Sequence, residues 1–258
     1  MHKTLCLALL LATTAAYALA ADDATGKQTA DFRQWQKHTD AAQAAADSAL
    51  ADLQQRAAAG DAAAQFELGA LYYQGQDIAQ DYAQAAAWWT KAATQGDAKA
   101  QYALGLLYAE GQGVAQDYGQ ARAWWGKAAA QGHIVAQYRL GYLYYDGQGV
   151  PQDYGKAHEW WEKAALRGDA AAQSNLAVLY YEGQGVAQDY DKARAWFEKA
   201  AAQGIPQAQY NLGVLYIKGQ GVPQDITQAR VWFEKAAAQE QDKEVQQAAQ
   251  KALQKISQ

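Results

Sequence analysis

The sequence predicts an all-α protein, an α/α superhelical solenoid of helix hairpins, and three observations carry that prediction. Of 258 residues, 62 are alanine while valine and isoleucine together number 15, so helix formers abound and strand formers are scarce. Gly60, Gly96, Gly132, Gly168 and Gly204 stand 36 residues apart, and a fixed period of this length marks a repeat architecture. Three further columns keep the same step: Leu68, Leu104, Leu140, Leu176 and Leu212; Tyr72, Tyr108, Tyr144, Tyr180 and Tyr216; Trp88, Trp124, Trp160, Trp196 and Trp232.

At the amino end, His2 and Lys3, the apolar run Leu5 to Leu11, and Ala18-Leu19-Ala20 have the make-up of a secretory signal peptide over residues 1–20, removed after Ala20. The apolar run falls short of the roughly 20 residues of a membrane-spanning helix, so no membrane span is expected and the mature chain is placed in the periplasm or outside the cell. Cys6, the one cysteine, lies in this leader. Residues 21–30 are expected to be flexible. Phe32, Trp35, Ala42, Ala46, Ala49 and Leu53 share one helical stripe, which predicts a capping helix over 31–59.

Five repeats follow, at 60–95, 96–131, 132–167, 168–203 and 204–239. In the second, Ala100, Leu104, Leu107 and Tyr108 keep the spacing of an amphipathic helix, and Gly111 suits the left-handed conformation that ends one. Asp117, with Gln120 three residues on, has the form of a capping box that opens a second helix, whose buried stripe is Ala121, Trp124, Trp125 and Ala128. Lys127 stands in its last turn, where the helix dipole favours a cation, and Gly132 ends it. Val245, Ala249, Ala252, Leu253 and Ile256 form the apolar stripe of a second capping helix over 240–258. Stacked hairpins bury in one another what a single hairpin leaves exposed.

Leu104, Gly105, Tyr108, Gly111, Gly113, Val114, Asp117, Ala121, Trp124, Lys127, Ala128, Ala129 and Gly132 form a pattern that resembles the Sel-one-like repeat family, a relative of the tetratricopeptide repeats. Asp77 replaces the second loop glycine in the first repeat, Ala177 the helix glycine in the fourth, and Ile226 the loop tyrosine in the fifth. The resemblance implies an adaptor for proteins or peptides, with the first helix of each hairpin lining a concave groove.

Composition and motifs narrow the function. A net charge of -5 and a pI near 5.4 argue against nucleic acid as partner. The tryptophan column reads as core, since a large residue at one phase of every unit is what stacking requires. His38, His133 and His158 occupy non-equivalent positions without metal-ligand spacing, and Ser48, Ser174 and Ser257 stand in no Ser-x-x-Lys motif. No catalytic residue, cofactor or metal is assigned, and the chain is read as a non-enzymatic monomer. The face of the first helices opposite the core columns changes from unit to unit, as Glu67, Ala103, Arg139, Asn175 and Asn211 show. Tyr102, Tyr138, Arg139, Tyr142, Tyr145, Asn175, Tyr181 and Asn211 are therefore the candidate partner-binding residues, with Arg139 and Tyr142 as hot spots. Tyrosines at these positions equally suit filling the seam between hairpins. Glu110, Asp146 and Glu182 form an acidic column at the ends of the first helices, a solvated rim or a strip for a basic segment. The leading function is an exported protein- or peptide-binding scaffold; a cell-wall (muropeptide or β-lactam related) binder or hydrolase, and an immunity-type inhibitor of one exported effector, stay open.

Overall fold

The computed structural model describes residues 26–76 and 78–257, with side chains from Gln34 onward. The segment expected to be a leader, 1–20, the first residues after it and the departure at Asp77 lie outside the described residues. Among the described residues there are twelve helices: α1 Gly26–Ala58, α2 Ala62–Gln74, α3 Tyr82–Thr94, α4 Ala98–Glu110, α5 Tyr118–Ala130, α6 Ile134–Asp146, α7 Tyr154–Leu166, α8 Ala170–Glu182, α9 Tyr190–Ala202, α10 Pro206–Lys218, α11 Ile226–Ala237 and α12 Lys243–Lys255. Helix α1 stands where the first capping helix is expected but opens at Gly26, inside the segment expected to be flexible. Lys27, Gln28 and Ala30 are helix formers, so extending an existing helix through them costs little.

Local chemistry sets the ends of each hairpin. Asp81, Asp117, Asp153, Asp189 and Asp225 precede the second helices, and each carboxylate accepts from the backbone N–H three residues on. Gln120 contributes this N–H to Asp117 at 3.0 Å. At the far end of the first helices, Gly75, Gly147, Gly183 and Gly219 take the left-handed conformation, and Gly111 has a φ of 69°. Gln80, Gln116, Gln152, Gln188 and Gln224 then donate their side-chain amides, at 2.8–2.9 Å, to carbonyls the first helix leaves open.

Within a hairpin the two helices meet at a glycine and an aromatic ring. A Cβ on Gly105 would stand 2.5 Å from Cδ1 of Trp125, whose Nε1 donates to the Tyr102 carbonyl at 3.1 Å. Gly69 with Trp89 and Gly141 with Trp161 repeat the contact. In the fourth repeat, where Ala177 replaces the glycine, the ring is the smaller Phe197, in the same buried cluster.

The large core residue is thus the second of each aromatic pair, which corrects the reading of the tryptophan column. Trp89, Trp125, Trp161, Phe197 and Phe233 are 1–4% exposed, whereas Trp88, Trp124, Trp160, Trp196 and Trp232 are half-buried. Neighbours on a helix point about 100° apart, so one ring faces the partner helix and the other lies at its edge. There the lysine three residues on covers it: Lys91, Lys127, Lys163, Lys199 and Lys235 hold Nζ 3.7–4.2 Å above the edge rings. The lysine in the last turn therefore serves both the helix dipole and a cation–π contact over its apolar stem.

The described residues group into two compact units, one ending at Ala100 and taking in Gln112–Val114, the other formed by Gln101–Gly111 and the chain from Ala115 onward. In the second unit successive hairpins meet through the other loop glycine. A Cβ on Gly149 would lie 2.4 Å from Cβ of Tyr118, one on Gly185 2.4 Å from the Tyr154 carbonyl carbon, and one on Gly221 2.5 Å from the Tyr190 carbonyl oxygen. In the first unit Gly113 stands in the same relation to Tyr82. Each of these tyrosines opens the second helix of the preceding repeat. Ile226, at the tyrosine position of the last repeat, has no following loop and is 52% exposed.

A buried glutamine column, absent from the sequence expectations, ties repeats together as well. Gln65, Gln137, Gln173 and Gln209 donate to Ala57, Ala129, Ala165 and Ala201, carbonyls near the end of the helix before. Gln95, Gln131 and Gln203 in turn donate to the side-chain oxygens of Gln65, Gln101 and Gln173 at 2.8–2.9 Å. Arg167 holds that place in the third repeat; it donates to the Gly132 carbonyl, and Gln137 Oε1 is left buried without a donor. Helix α12 closes the end of the second unit, with Val245 and Ala249 buried against Ala229, Phe233 and Ala236.

Two outcomes follow in denaturant unfolding. Trp125→Ala costs about 3–5 kcal/mol, as for a large buried side chain, whereas Trp124→Ala costs about 1–2 kcal/mol because its ring is half exposed already; equal losses would contradict the assignment of core and edge. Arg167→Gln stabilises the chain by about 1 kcal/mol, since Gln95 shows that a glutamine there reaches both the Gly60 carbonyl, at 2.9 Å, and the buried amide oxygen, at 2.8 Å. Unchanged or lower stability would count against the glutamine account.

Candidate partner-binding face

In the second unit one stripe of the first helix α6 is left largely open, whereas the equivalent stripes of α4, α8 and α10 are partly packed: Ala103 is buried, and Val178 and Val214 lie against the core. On α6 the stripe consists of Val135, Arg139, Tyr142 and Asp146, spaced by four, three and four residues, which keeps them on one face. Val135 is 40% and Tyr142 42% exposed, both large apolar surfaces left open. The equivalent residues are Lys99, Ala103, Leu106 and Glu110 on α4, Ala171, Asn175, Val178 and Glu182 on α8, and Gln207, Asn211, Val214 and Lys218 on α10. The stripe thus has an apolar middle row and a charged row at the helix ends, acidic in three repeats and basic in the last.

The candidate residues divide in two on this frame. Tyr102, Tyr145 and Tyr181 are engaged in packing. Tyr102 stacks on His133, ring centres 4.7 Å apart; Tyr145 lies 5.3 Å from Tyr154 and 5.2 Å from Trp161; Tyr181 meets Tyr190 edge-on at 5.5 Å. Lys218 Nζ donates to the Tyr181 hydroxyl at 2.8 Å, and that bond raises the lysine's pKa. Burial, with Glu182 next, raises the pKa of Tyr145. Tyr138 is half-buried and its hydroxyl bonds the Asn175 side chain; burial raises its pKa and the bond to Asn175 lowers it. Asn211 accepts from Gln207 at 3.4 Å, within its own helix.

Arg139 and Tyr142 are brought together. With Leu106, Ala109 and Glu110 of α4, Tyr118 and Trp125 of α5, and Leu143 and Gln148, they line a half-open cleft of about 160 Å³. Arg139 Nε is buried with no hydrogen-bond partner, and the ion pairs among the described residues involve other side chains. Gln148 donates to Asp146 at 2.6 Å and so fixes one rim of the opening. Tyr118 and Gln148 are two of the lining residues that sequence reasoning missed. Each belongs to a column that recurs in other repeats, Tyr82, Tyr154 and Tyr190 in one case and Gln76, Gln112, Gln184 and Gln220 in the other, so regularity marked them as scaffold.

Among the described residues no group of three or more His, Cys, Asp or Glu is placed to hold a metal ion, and no helix is long and apolar enough to cross a membrane. His158 instead meets the Tyr180 hydroxyl at 3.0 Å.

Comparison with known proteins gives the following likenesses. The family model described as Sel1 repeat matches residues 62–97, 98–133, 134–169, 170–205 and 206–240, two residues out of phase with the glycine-based boundaries. No curated protein matches. A Sel1 repeat protein from Oxalobacter formigenes is 35% identical, with a TM-score of 0.70 over 74% of this chain and 78% of that one. A protective antigen of uropathogenic Escherichia coli, described as displaying an SLR fold, is also 35% identical, with a TM-score of 0.62 over 73% of this chain. The match spans 48% of the antigen's own length.

Proposed function

The chain belongs to the Sel1-repeat family, and from that premise we propose that it is an exported, non-catalytic, monomeric scaffold that binds a protein or peptide partner on the first-helix face, with Arg139 and Tyr142 at the centre. The observation that carries this reading is a contrast within each repeat. The buried column Leu68, Leu104, Leu140, Leu176 and Leu212 keeps one residue type, whereas the row Glu67, Ala103, Arg139, Asn175 and Asn211 holds four types in five repeats. A stacking contact has the same neighbour in every unit and gains nothing from variation. A surface that reads a non-repeating ligand does.

Arginine and tyrosine suit this work because each combines broad contact area with directional hydrogen bonds. Tyr138 and Asn175 tie two adjacent first helices together on the same face and hold it in shape. Export rests on the residues that resemble a leader, 1–20. Its check is the amino terminus of the protein recovered from cells, which is Ala21; an intact Met1 on cytosolic protein would remove export from the proposal.

Binding is tested by capturing the partner on the wild-type chain and measuring its affinity by calorimetry. Arg139→Ala and Tyr142→Ala each weaken it by about 2 kcal/mol, or roughly 30-fold, and leave the unfolding transition within about 0.5 kcal/mol of wild type. Wild-type affinity in both variants would move the site off this face.

A further inference from the structure

We propose that the cleft between α4 and α6 takes an extended segment of the partner that carries an acidic side chain next to an apolar one, the carboxylate pairing with Arg139 and the apolar side chain entering beside Tyr142. This rests on the binding reading above and adds the chemistry of what is bound.

The first argument is the state of Arg139. Its Nε is buried with no hydrogen-bond partner, and no ion pair among the described residues includes it, although Glu110 lines the same cleft. A guanidinium that lines a cleft without an ion-pair partner is an unmatched cation. The ligand that fits it is a planar carboxylate, which takes two parallel bonds from the terminal guanidinium nitrogens.

Shape gives the second argument. Leu106, Ala109 and Leu143 supply apolar walls, Trp125 and Tyr118 contribute rings, and the volume of about 160 Å³ is that of a site for one side chain rather than for a helix. Tyr142, 42% exposed, stands at the opening, where a bound segment would cover it. Charge then restricts the segment. Glu110 lines the cleft and Asp146 bonds the lining Gln148, so a uniformly acidic run is repelled and a basic residue beyond the apolar one is accommodated. The corresponding positions in the other repeats, Glu67, Ala103, Asn175 and Asn211, offer no cation. The acidic residue is therefore read once, at the third repeat.

The test uses the full chain and a random dodecapeptide library with amidated carboxyl ends, so that only side-chain carboxylates are offered. Selected peptides are expected to share an Asp or Glu beside an apolar residue. On the wild-type protein, changing that residue to Asn or Gln weakens binding at least tenfold by fluorescence anisotropy. Arg139→Gln produces the same loss, Arg139→Lys a smaller one, and selection on Arg139→Glu favours Lys or Arg in place of the acid. Circular dichroism checks the fold of each variant, and the peptide-side change gives its answer without any variant. Peptides that bind without an acid, or that keep their affinity when it is neutralised, overturn the carboxylate assignment; if Tyr142→Ala still releases them, the face survives as the binding site. No selected peptide, or peptides indifferent to both Arg139 and Tyr142 substitutions, overturn this inference and the reading of the face together.

Discussion

The array depends on how closely the loop of one repeat approaches the first turn of the second helix in the repeat before it. That approach brings backbone against backbone at Gly185 and Tyr154 and at Gly221 and Tyr190, at separations that exclude a Cβ. The loop glycine also takes a positive φ, 69° at Gly185, so one residue type meets two demands that others cannot meet together. The departure from this contact among the described residues falls in the last repeat. Ile226 stands where the other repeats have the tyrosine, and no further repeat follows to bring a loop against it.

Once backbone contact fixes the spacing, the remaining columns acquire single tasks. The helix glycine admits an indole edge, and the indole N–H finds a carbonyl on the opposite helix, so a large buried ring has no unpaired donor. Buried glutamines give a second donor to carbonyls near helix ends that already accept from a glycine N–H, and so tie one helix to the next. Lysines cover the exposed flank of the edge tryptophans. These tasks occupy the sides of each helix that meet a neighbour and leave a stripe of α6 with large exposed residues, Val135 and Tyr142. Partner recognition is open to evolve on that stripe without disturbing the stack.

The fold was legible in the sequence because stacking forces identity: the same neighbour in every unit selects the same residue, and a period of 36 follows. The phase within a column was harder to read. Trp124 and Trp125 differ by one position, both are aromatic, and only the packing of helix on helix shows that the second is buried. Invariance pointed to the first of the pair, whose ring is kept for its lysine and its seam. The glutamine column was present in the letters but has no apolar signature, so a search by hydrophobic period passed over it. At the proposed binding face the varying row was visible from sequence. Which of its tyrosines is committed to packing was not, because only the fold shows that Tyr145 meets Tyr154 and Trp161 of its own hairpin while Tyr142 stays exposed.

Loop approach as the organising contact is tested most directly by comparing Gly185→Ala with Gly168→Ala in urea unfolding of the full chain. Both glycines have positive φ, 69° and 92°, and so carry similar backbone strain on substitution; a Cβ at Gly168 meets nothing within 4 Å, whereas one at Gly185 meets the Tyr154 backbone at 2.4 Å. The account predicts that Gly168→Ala costs about 1 kcal/mol, the strain alone, and that Gly185→Ala costs at least about 2 kcal/mol more. Equal losses would contradict it, because the spacing of repeats would then not depend on the missing Cβ.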